Sequence, residues 1–502
     1  MRKKNFKTML LGVILSLPCV TFAQAVYPWA EYDKAATIVM HDPKSELFVG
    51  TMHPAAALFM DYFAADKASE EHSGYRQALR DMGAEVVTVR DILLKNCVDA
   101  AGNTVEGPAM DELRAFASRY LKYTCGEGVD SVEQAAYRSE MLAKFTPNDL
   151  VNIILLQPEI ILRHTDINTS LEASYMQHPV MNLFFMRDQV ITTSKGIVVG
   201  KMNSSQRSAE TDIAEFCYRK LGEEPIYRIS GDGAFLEGGD YLPFGSLSFI
   251  GKGLRTTQEA IDQLLDNDLI GKDTLVVVCD QWKSQDQMHL DTYFNIIDRD
   301  LVTLCANRVN AKAGDKDYLT VDVYAKNTSG QYEKTVTGLS FVDFLTARGI
   351  SIIPIGHDDE LNYANNFLTV KARKIAMVAG QSAELQSALA EHGVEVVWVP
   401  LDNLTRGYGA AHCMTQVIKR MASSDSPTAV GAVSADSPVS VSAVHGGLRL
   451  AAVCPTPVKV YSTGGVCVAN VTVNGHTEVK VPVGAYVVSL GAGYAPLAVL
   501  VE

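Results

Sequence analysis

The stretch Ala78-Leu79-Arg80-Asp81-Met82-Gly83-Ala84-Glu85-Val86-Val87-Thr88-Val89 passes from a helical pattern, through one glycine, into an apolar strand pattern. The same order returns at Ala388-Leu389-Ala390-Glu391-His392-Gly393-Val394-Glu395-Val396-Val397-Trp398-Val399. Glycine can take the left-handed conformation that ends a helix, and the β-branched residues after it suit a buried strand. The two copies match at too many positions for composition alone to explain, so they indicate a repeated module.

Two weaker copies centre on other glycines. Arg219-Lys220-Leu221-Gly222 leads into Pro225-Ile226-Tyr227, and Phe344-Leu345 leads through Gly349 into Ile352-Ile353. Helix, glycine and strand follow one another in any α/β protein, which is the competing interpretation for these two copies. Taken together, the four units predict an α/β domain built from repeated modules.

The regions around these units differ in composition. Residues from about 110 to 173 break the pattern and contain helical runs, which predicts a helical insertion. After Met421 the chain becomes rich in Ala, Ser, Pro, Val and Gly. We therefore expect one catalytic domain over residues 26–421, a linker over 422–438 and a small, β-sandwich-like all-β module over 439–502.

Composition limits the class of protein. The chain has 502 residues, 47% of them hydrophobic and 20% charged, so it can fill more than one core. Its formal net charge is −14. Phosphate binding depends on clustered Lys and Arg, so this balance argues against a nucleic-acid partner, whereas an acidic surface tolerates a cationic substrate.

The N-terminus has the order of a signal peptide. Basic residues follow Met1, an apolar run extends from Met9 to Phe22, and Ala23-Gln24-Ala25 supplies small residues at a cleavage-like site. The apolar run is too short to be interpreted as a membrane span. We expect residues 1–25 to be removed and the protein to be exported, whether to the periplasm, to the cell surface or into the medium.

Eight cysteines remain after that cleavage. In an oxidising compartment, the plausible bridges join Cys97 to Cys125 and Cys454 to Cys467. Three others lie in apolar surroundings and are expected to be buried thiols: Cys217, Cys279 and Cys305. The eighth is Cys413.

Cys413 lies in a glycine-flanked loop, Gly407-Tyr408-Gly409-Ala410-Ala411-His412-Cys413-Met414, soon after an apolar strand pattern. Reactive side chains are often presented in such loops. A lone cysteine is more often a buried bystander, so the loop by itself is weak evidence for a nucleophile. The adjacent His412 is expected to be a structural or lining residue, because neighbouring side chains usually point apart.

Three other motifs contain acidic groups that could share a catalytic site with the sulfur of Cys413. His289-Leu290-Asp291 would place His289 and Asp291 on one side if the segment is extended. A metal-ligand pair and two satisfied core residues are the competing interpretations, and no further His cluster completes a metal site. Asp188 and Glu237 each follow an apolar run, so each carboxylate enters a buried region and needs a partner. That partner is either a neighbouring Arg187 or backbone amide, or a guanidinium ion bound by paired hydrogen bonds.

Four motifs resemble the arginine deiminases, within the superfamily of guanidino-modifying enzymes: Asn182-Leu183-Phe184-Phe185-Met186-Arg187-Asp188, Phe235-Leu236-Glu237-Gly238-Gly239-Asp240, Met288-His289-Leu290-Asp291-Thr292 and Gly409-Ala410-Ala411-His412-Cys413-Met414. The resemblance extends over residues 36–421. It implies a pseudo-fivefold α/β propeller (pentein-like), with the active site on the central axis.

The resemblance also implies roles for these residues. Cys413 is expected to attack the guanidinium carbon, Asp188 and Asp291 to hold the guanidinium nitrogens, and Glu237 to support them. His289 is expected to protonate the departing ammonia and then to deprotonate the attacking water. No metal or organic cofactor is implied.

Further residues would bind the rest of the substrate. Arg255 and Arg207 match positions that meet the carboxylate of free arginine, while Asn182, Phe185 and Asp240 belong to the same site. One position departs from the family, because Tyr408 stands where an arginine is common. This substitution bears on recognition of the free amino acid more than on the chemistry.

The C-terminal module resembles the sorting domains of proteins exported through a type IX pathway, and a generic β appendage is the alternative. The sequence thus predicts an exported hydrolase that converts L-arginine to L-citrulline and ammonia. A peptidylarginine deiminase is the nearest rival, because export and Tyr408 favour it. An amidinotransferase and an inactive exported binding protein are the others, and the oligomeric state is left open.

Overall fold

A computed structural model describes residues 25–167, 169–421, 439–444, 447–462, 467–482, 484–489 and 497–501. Residues 1–24 of the predicted signal segment and the predicted linker 422–438 lie outside the described residues. Among the residues that the structure describes, no helix is both long enough and apolar enough to cross a bilayer.

The N-terminal part supplies strands and helices to a sheet that the chain completes only much later. Its elements are β1 (Ala25–Val26), β2 (Ala35–Met40), α1 (Ser45–Thr51), α2 (Ala65–Asp81), β3 (Glu85–Thr88) and α3 (Val89–Leu94). Strands β2 and β3 pair in parallel and are connected through α2.

The next segment is the insertion, and it contains more than helices. Its elements are α4 (Pro108–Ser118), β4 (Lys122–Cys125), α5 (Ser131–Lys144), α6 (Pro147–Leu156), β5 (Pro158–His164) and β6 (Leu171–Gln177). Strands β4, β5 and β6 form a small sheet. Most side chains of β6 are exposed, so the strand lacks the apolar residues by which a sequence pattern is recognised.

Four modules follow along the chain. The first two comprise β7 (Val190–Thr193), β8 (Gly196–Val199), α7 (Ser208–Leu221) and β9 (Tyr227–Arg228), then β10 (Tyr241–Phe244), β11 (Leu247–Lys252), α8 (Gln258–Asp266) and β12 (Thr274–Cys279). The third comprises α9 (Leu290–Tyr293), β13 (Phe294–Asp298), β14 (Leu301–Cys305), α10 (Ala306–Asn310), β15 (Thr320–Lys326), β16 (Tyr332–Ser340), α11 (Phe341–Thr346) and β17 (Ser351–Ile355). The fourth comprises α12 (His357–Leu361), β18 (Leu368–Lys371), β19 (Lys374–Val378), α13 (Ala383–Glu391) and β20 (Glu395–Val399). Strand β21 (Gln416–Met421) then returns to the N-terminal sheet.

Five sheets share one topology, in which two antiparallel strands are followed, after a helix, by a third strand parallel to the second. The five sets are β7-β8-β9, β10-β11-β12, β13-β14-β17, β18-β19-β20 and β21-β2-β3. This repetition confirms the predicted pseudo-fivefold α/β propeller. The fifth module is assembled from both ends of the domain, since β21 pairs with β2.

The predicted glycines end four of the five module helices. Gly83, Gly222, Gly349 and Gly393 all have φ between 68° and 91°, in the left-handed region. The helix of the remaining module, α8, ends instead with Asp268 at φ 48°. An aspartate can adopt this conformation, although less readily than glycine, so a search for helix, glycine and strand overlooks that module.

Hydrogen bonds between first strands draw the modules into a ring. Gln416 of β21 donates to Thr192 of β7 at 2.7 Å, and Arg420 of β21 donates to the carbonyl of Thr369 in β18 at 2.9 Å. Thr369 in turn donates to the carbonyl of Ile296 in β13 at 2.5 Å. The first strand of each module therefore faces the central axis.

The described strands of the C-terminal module are β22 (Val439–Val444), β23 (Gly447–Ser462), β24 (Cys467–Lys480), β25 (Gly484–Ser489) and β26 (Leu497–Val501). All their pairings are antiparallel, in a single sheet around β23 and β25. The predicted small all-β module is therefore present.

The predicted bridge between Cys97 and Cys125 is wrong, because both are free thiols. Cys97 is fully buried and lies 3.3 Å from the carbonyl oxygen of Ala109, so it is satisfied within its own core. Cys467 is also free, and the side chain of its predicted partner Cys454 lies outside the described residues. Cys217 and Cys305 are buried thiols, as predicted, and Cys279 is partly buried.

Candidate active site

One polar side chain or pair precedes the first strand of each module. The five groups are Asp188 before β7, Glu237 with Asp240 before β10, His289 with Asp291 before β13, Asn366 before β18 and Cys413 before β21. Because equivalent positions in a ring face the same axis, the fold brings residues from distant parts of the chain together. Asp188, His289 and Cys413 line one pocket, and the other groups are buried around it.

The pocket contains most of the residues that the sequence singled out. Its lining includes Asn182, Phe185, Asp188, Arg207, Arg255, His289, Tyr408 and Cys413. Met288 and Gly407, which belong to two of the quoted motifs, also line it, as do Leu58 and Gln285, which had no sequence signal of their own. Glu237, Asp240 and Asp291 are buried behind this lining.

Two glycines let the loop of Cys413 approach Phe185. A Cβ atom on Gly407 would lie 2.9 Å from the Phe185 ring, and one on Gly409 would lie 2.7 Å from that ring and 3.1 Å from the Cys413 sulfur. Between them, Tyr408 adopts a left-handed φ of 67°. Any side chain at either glycine would displace the ring or the sulfur.

Asn366 fixes the same loop and was missed by the sequence reasoning. Its Oδ1 accepts hydrogen bonds from the backbone N–H groups of Ala410 and Cys413, at 2.9 and 3.0 Å. Its Nδ2 donates to the Cys413 sulfur and to the Asp291 carbonyl, both at 3.1 Å. An asparagine in a loop carries no distinctive pattern, and only its position before β18, equivalent to those of the other site residues, could have identified it.

Asp291 lies beside the sulfur. Its two carboxylate oxygens are 3.6 and 3.9 Å from Cys413 Sγ, and Oδ2 accepts a 2.6 Å hydrogen bond from His412 Nδ1. Burial opposes ionisation of Asp291, but the hydrogen bond and positive potential of His412 outweigh it, so its pKa is lowered. His412 is thus the partner of a site carboxylate, in keeping with its predicted structural role.

The sulfur itself is a neutral thiol when the pocket is empty. Burial, followed by the nearby charges of Asp291 and Asp188, raises the pKa of Cys413 well above its ordinary value. The hydrogen bond from Asn366 acts in the opposite direction but does not compensate. A positive charge brought beside these carboxylates would remove much of what disfavours the thiolate.

The two carboxylate oxygens of Asp188 differ in their hydrogen bonding. Its Oδ2 accepts a 2.8 Å hydrogen bond from Arg207 Nη1. Its Oδ1 is buried and has no hydrogen-bond partner among the described residues. An unsatisfied carboxylate oxygen in a buried pocket is costly, so this atom marks where a donor from a ligand would bind.

His289 lies between two carboxylates. Its Nε2 is 2.9 Å from Glu237 Oε2, and its Nδ1 is 3.8 Å from Asp188 Oδ1. Burial disfavours the charged ring, but Asp188, Glu237 and Asp240 outweigh burial and raise the pKa of His289 to about 9. The imidazole is therefore protonated near neutral pH. Although burial opposes ionisation of Glu237, its hydrogen bond to His289 lowers the pKa of Glu237 to about 2.

The extended conformation predicted for His289-Leu290-Asp291 is wrong. His289 is extended, but a short helix, α9, begins at Leu290. Asp240 Oδ1 accepts from the Leu290 N–H at 2.9 Å, and Thr292 Oγ1 donates to the His289 carbonyl at 2.7 Å, so the turn is fixed from both sides. His289 and Asp291 nevertheless both reach the surroundings of Cys413. Burial raises the pKa of Asp240 to about 7.

The two arginines predicted to meet a carboxylate differ in their available donors. Arg207 is bound by Asp188 and by both carboxylate oxygens of Glu210. Arg255 has only a 3.3 Å hydrogen bond to Gln285 and a 4.0 Å approach to Glu237, and its Nε is unpartnered among the described residues. Asn182 donates to the Ala57 carbonyl at 2.9 Å, which connects the pocket wall to the segment that contains Leu58.

Asp188, Glu237 and His289 lie close enough together to be considered as metal ligands. The arrangement fits a metal poorly, because the two carboxylates approach opposite nitrogens of one imidazole ring. A ring nitrogen binds a metal along its lone pair, so one ion could not use both contacts. The geometry is that of a histidine held in its charged form.

A buried thiol beside carboxylates, with a charged histidine in the same pocket of a five-module ring, is suited to receive a planar cation such as a guanidinium, which is the class of group handled by guanidino-modifying α/β-propeller enzymes. The family profile of arginine deiminases matches residues 56–420. The chain belongs to the arginine deiminase family and is a hydrolase that acts on guanidino groups.

Individual relatives are distant in sequence. The chain is 26% identical to an arginine deiminase of Halobacterium salinarum, with 78% of this chain and 96% of that protein covered. It is 26% identical to an arginine deiminase of Limosilactobacillus fermentum, with coverages of 79% and 98%. Solved structures that it resembles include a dimethylarginine dimethylaminohydrolase adduct with 4-chloro-2-hydroxymethylpyridine (16% identity, 76% and 98% covered, TM-score 0.43) and the N-terminal domain of the cyanobacterial arginine dihydrolase ArgZ (14%, 76% and 97%, TM-score 0.44).

Proposed function

We propose that the pocket hydrolyses free L-arginine to L-citrulline and ammonia through a covalent adduct on Cys413. The observation that carries this proposal is the unpartnered Oδ1 of Asp188, in a pocket where Asp291 approaches the sulfur to 3.6 Å. A guanidinium presents several coplanar N–H donors, which suit two carboxylates on either side of its carbon.

The substrate would activate its own nucleophile. In the empty pocket the carboxylates hold Cys413 as a thiol. A bound guanidinium neutralises part of their field, so the thiol proton leaves to solvent and the thiolate forms next to the electrophilic carbon. Cys413 Sγ then forms a bond to that carbon, and the C–N π electrons move onto nitrogen.

His289 would transfer the protons in both halves of the reaction. It begins protonated and donates to the departing nitrogen, so the C–N bond breaks and ammonia leaves. The neutral ring then takes a proton from water as the water attacks the same carbon, and the C–S bond breaks to release the ureido product. Glu237 Oε2, 2.9 Å from Nε2, orients the ring and stabilises its charge.

Arg255 would select the free amino acid. Its guanidinium has unused donors at the pocket wall, whereas those of Arg207 are largely taken by Asp188 and Glu210. Arg255 is therefore the better partner for the substrate carboxylate, and Arg207 serves to position Asp188.

The experiment measures ammonia and citrulline released by the full-length protein. It compares L-arginine, a peptide with internal arginine and a peptide that ends in arginine, with Cys413→Ala as the control. We expect turnover of L-arginine. Turnover of the internal-arginine peptide alone would favour a peptidylarginine deiminase, the alternative that Tyr408 also favours. A new guanidino compound in the presence of glycine, without ammonia, would identify an amidinotransferase.

We also propose that the protein is exported, with residues 1–25 removed. The support is the order of basic, apolar and small residues at the N-terminus. N-terminal sequencing of protein recovered from the envelope and the medium tests this. A first residue at Val26 is expected, whereas Met1 in a cytoplasmic fraction would contradict the proposal.

A further inference from the structure

The N-terminal strap, residues 26–33, crosses three modules of the ring. Its β1 pairs with β21, Tyr27 donates to Glu223 at 2.6 Å, and the carbonyl of Trp29 accepts from Lys272 at 2.9 Å. The Glu31 N–H donates to the carbonyl of Pro243 in β10 at 2.8 Å. These contacts hold the Glu31 side chain, which is 3% exposed, inside the ring.

A second, small cavity lies under this strap, farther along β7, β10 and β21 than the active-site pocket. Glu31 and Arg187 both line it. Asp188, the next residue after Arg187, lines the active-site pocket instead. The two neighbouring side chains therefore point to opposite ends of the axis.

Glu31 is shared by two buried arginines. Arg187 Nη1 lies 3.5 Å from Glu31 Oε1, and Arg420 Nη2 donates to Glu31 Oε2. Arg187 Nη2 has no hydrogen-bond partner among the described residues, and Glu31 is the carboxylate within ion-pair distance of Arg187. Glu31 Oε2 is also 4.0 Å from His412 Nε2, and the other nitrogen of that ring binds Asp291.

An enzyme that binds a guanidinium must keep its own arginine side chains away from the carboxylates of the site, and the contacts of Glu31 meet this need. Carboxylates placed to bind an external guanidinium would also bind one that belongs to the protein itself. Arg187 is one residue from Asp188 in the chain and donates its backbone N–H to the carbonyl of Cys413 at 3.0 Å. Without Glu31, the positive charges of Arg187 and Arg420 would lie behind the pocket without the carboxylate they share, and they would repel an entering cation more strongly.

We infer that Glu31 is a positioning residue, which binds Arg187 and Arg420 behind the pocket so that Asp188 and Asp291 remain available to the substrate. The inference rests on the proposed function, since it concerns binding of a guanidinium in that pocket. It makes the strap part of the functional unit, although the strap does not line the active-site pocket. Its specific consequence is for substrate binding rather than for the chemical step.

The test compares the full-length wild type with Glu31→Gln, which keeps the shape of the side chain and removes its charge. For Glu31→Gln we expect the KM for L-arginine to rise about tenfold, with kcat within roughly threefold of wild type. In a Cys413→Ala background, the Kd for L-arginine from calorimetry should rise by the same factor. Tyr27→Phe is the matched control, because it loses a strap contact without altering the charge near the arginines, and it should leave KM and Kd unchanged.

The double variant Glu31→Gln with Arg187→Gln separates the electrostatic role from a structural one. Removing the competing guanidinium together with its counter-charge should bring the Kd back to within about threefold of wild type. A merely structural defect would not be corrected by a second buried substitution. Unchanged KM in folded Glu31→Gln, or no recovery in the double variant, would overturn the inference.

Two further outcomes remain decisive. If Glu31→Gln fails to fold, the single variant Arg187→Gln provides the test. The inference then requires that its Kd for L-arginine be no more than about threefold above that of wild type. A larger increase in Kd would contradict the inference. If the wild type releases no ammonia from L-arginine, the proposed function fails. If the wild type releases ammonia but Glu31→Gln has an unchanged KM, the proposed function stands and only the inferred role of Glu31 is disproved.

Discussion

Asn366 contacts Cys413 through both atoms of its side-chain amide. Nδ2 lies 3.1 Å from the sulfur and Oδ1 lies 3.0 Å from the backbone nitrogen of the same residue. The same amide also binds Ala410 and the carbonyl of Asp291, so all four of its hydrogen-bonding positions are used. One side chain thereby fixes the distance between the Cys413 sulfur and the carboxylate of Asp291.

Asn366→Ala should lower kcat by roughly 10²-fold to 10³-fold, because it removes a donor to the sulfur and leaves two buried N–H groups unpaired. Asn365→Ala is the matched control, since its amide is equally buried but binds Cys305 instead. Steady-state kinetics and thermal unfolding of both variants provide the check. Equal losses of kcat in the two would show that Asn366 contributes only to folding.

His289→Ala should abolish turnover, because no group remains to protonate the departing nitrogen or to activate water, so any adduct that does form on Cys413 should persist. Intact-protein mass spectrometry after incubation with L-arginine should detect an adduct on Cys413, absent from the double variant with Cys413→Ala. A fully active and unmodified His289→Ala protein would disprove the assigned role.

The pH profile of kcat/KM should fall on the alkaline side near pH 9, where His289 loses the proton that the leaving nitrogen needs. Asp240→Asn removes a negative charge that helps to raise the pKa of His289, so this limb should move to lower pH. At pH 7 the effect should be small, because the pKa of Asp240 is about 7 and Asn can still accept from the Leu290 N–H. If the alkaline decrease of kcat/KM occurred at the same pH in Asp240→Asn as in wild type, Asp240 would not influence the pKa of His289.

The free energy of unfolding should decrease at acid pH, in part because Glu237 becomes protonated. Its pKa is lowered from 4.5 to about 2 in the folded protein, so its contribution is present above pH 4.5 and is lost as the pH falls through 2. His289 has the opposite sign: its contribution is present below pH 6.5 and is lost as the pH rises through 9. Urea unfolding midpoints between pH 3 and 10 test both, and Glu237→Gln should flatten the acid side. A profile for Glu237→Gln parallel to that of wild type would contradict this.

Arg255→Gln should raise the KM for L-arginine by roughly tenfold to a hundredfold while changing kcat little, because it removes a charged partner of the substrate carboxylate. Agmatine, which is arginine without its carboxylate, provides the control substrate, and its KM should not change. Arg207→Gln should instead lower kcat for both compounds, because Asp188 loses its 2.8 Å partner. If Arg255→Gln weakened agmatine equally, the carboxylate assignment would fail.

The sequence was most informative where residue type and spacing coincide. Gly83 and Gly393 predicted helix ends followed by strands because glycine is favoured at a left-handed φ, and these repeated units led to the modular α/β fold. The module of α8 was missed because Asp268 takes the place of glycine. The cysteine, histidine and acidic motifs could be found because their chemistry is unusual in buried segments.

Other features depend on contacts that no local pattern contains. The extended conformation of His289-Leu290-Asp291 was a reasonable prediction from alternation, but Asp240, from the preceding module, caps the turn that begins at Leu290. Asn366 and Glu31 are unremarkable in sequence and gain their roles from partners 47 and 389 positions away. The cysteine pairing failed for the same reason, since Cys97 is satisfied inside its own core.

Cys413 lies just before strand β21, and β21 closes the ring by pairing with β2. Arg420 of β21 donates to the carbonyl of Asp33, which is 387 positions away in the chain. Pairings between such distant segments are slow to form, because a long loop must close first. The sulfur of Cys413, the proposed nucleophile, and the last strand of the ring thus belong to the same segment. A chain stopped anywhere before Gln416 would lack the closure of the ring, and it could not present an assembled, reactive site while still incomplete.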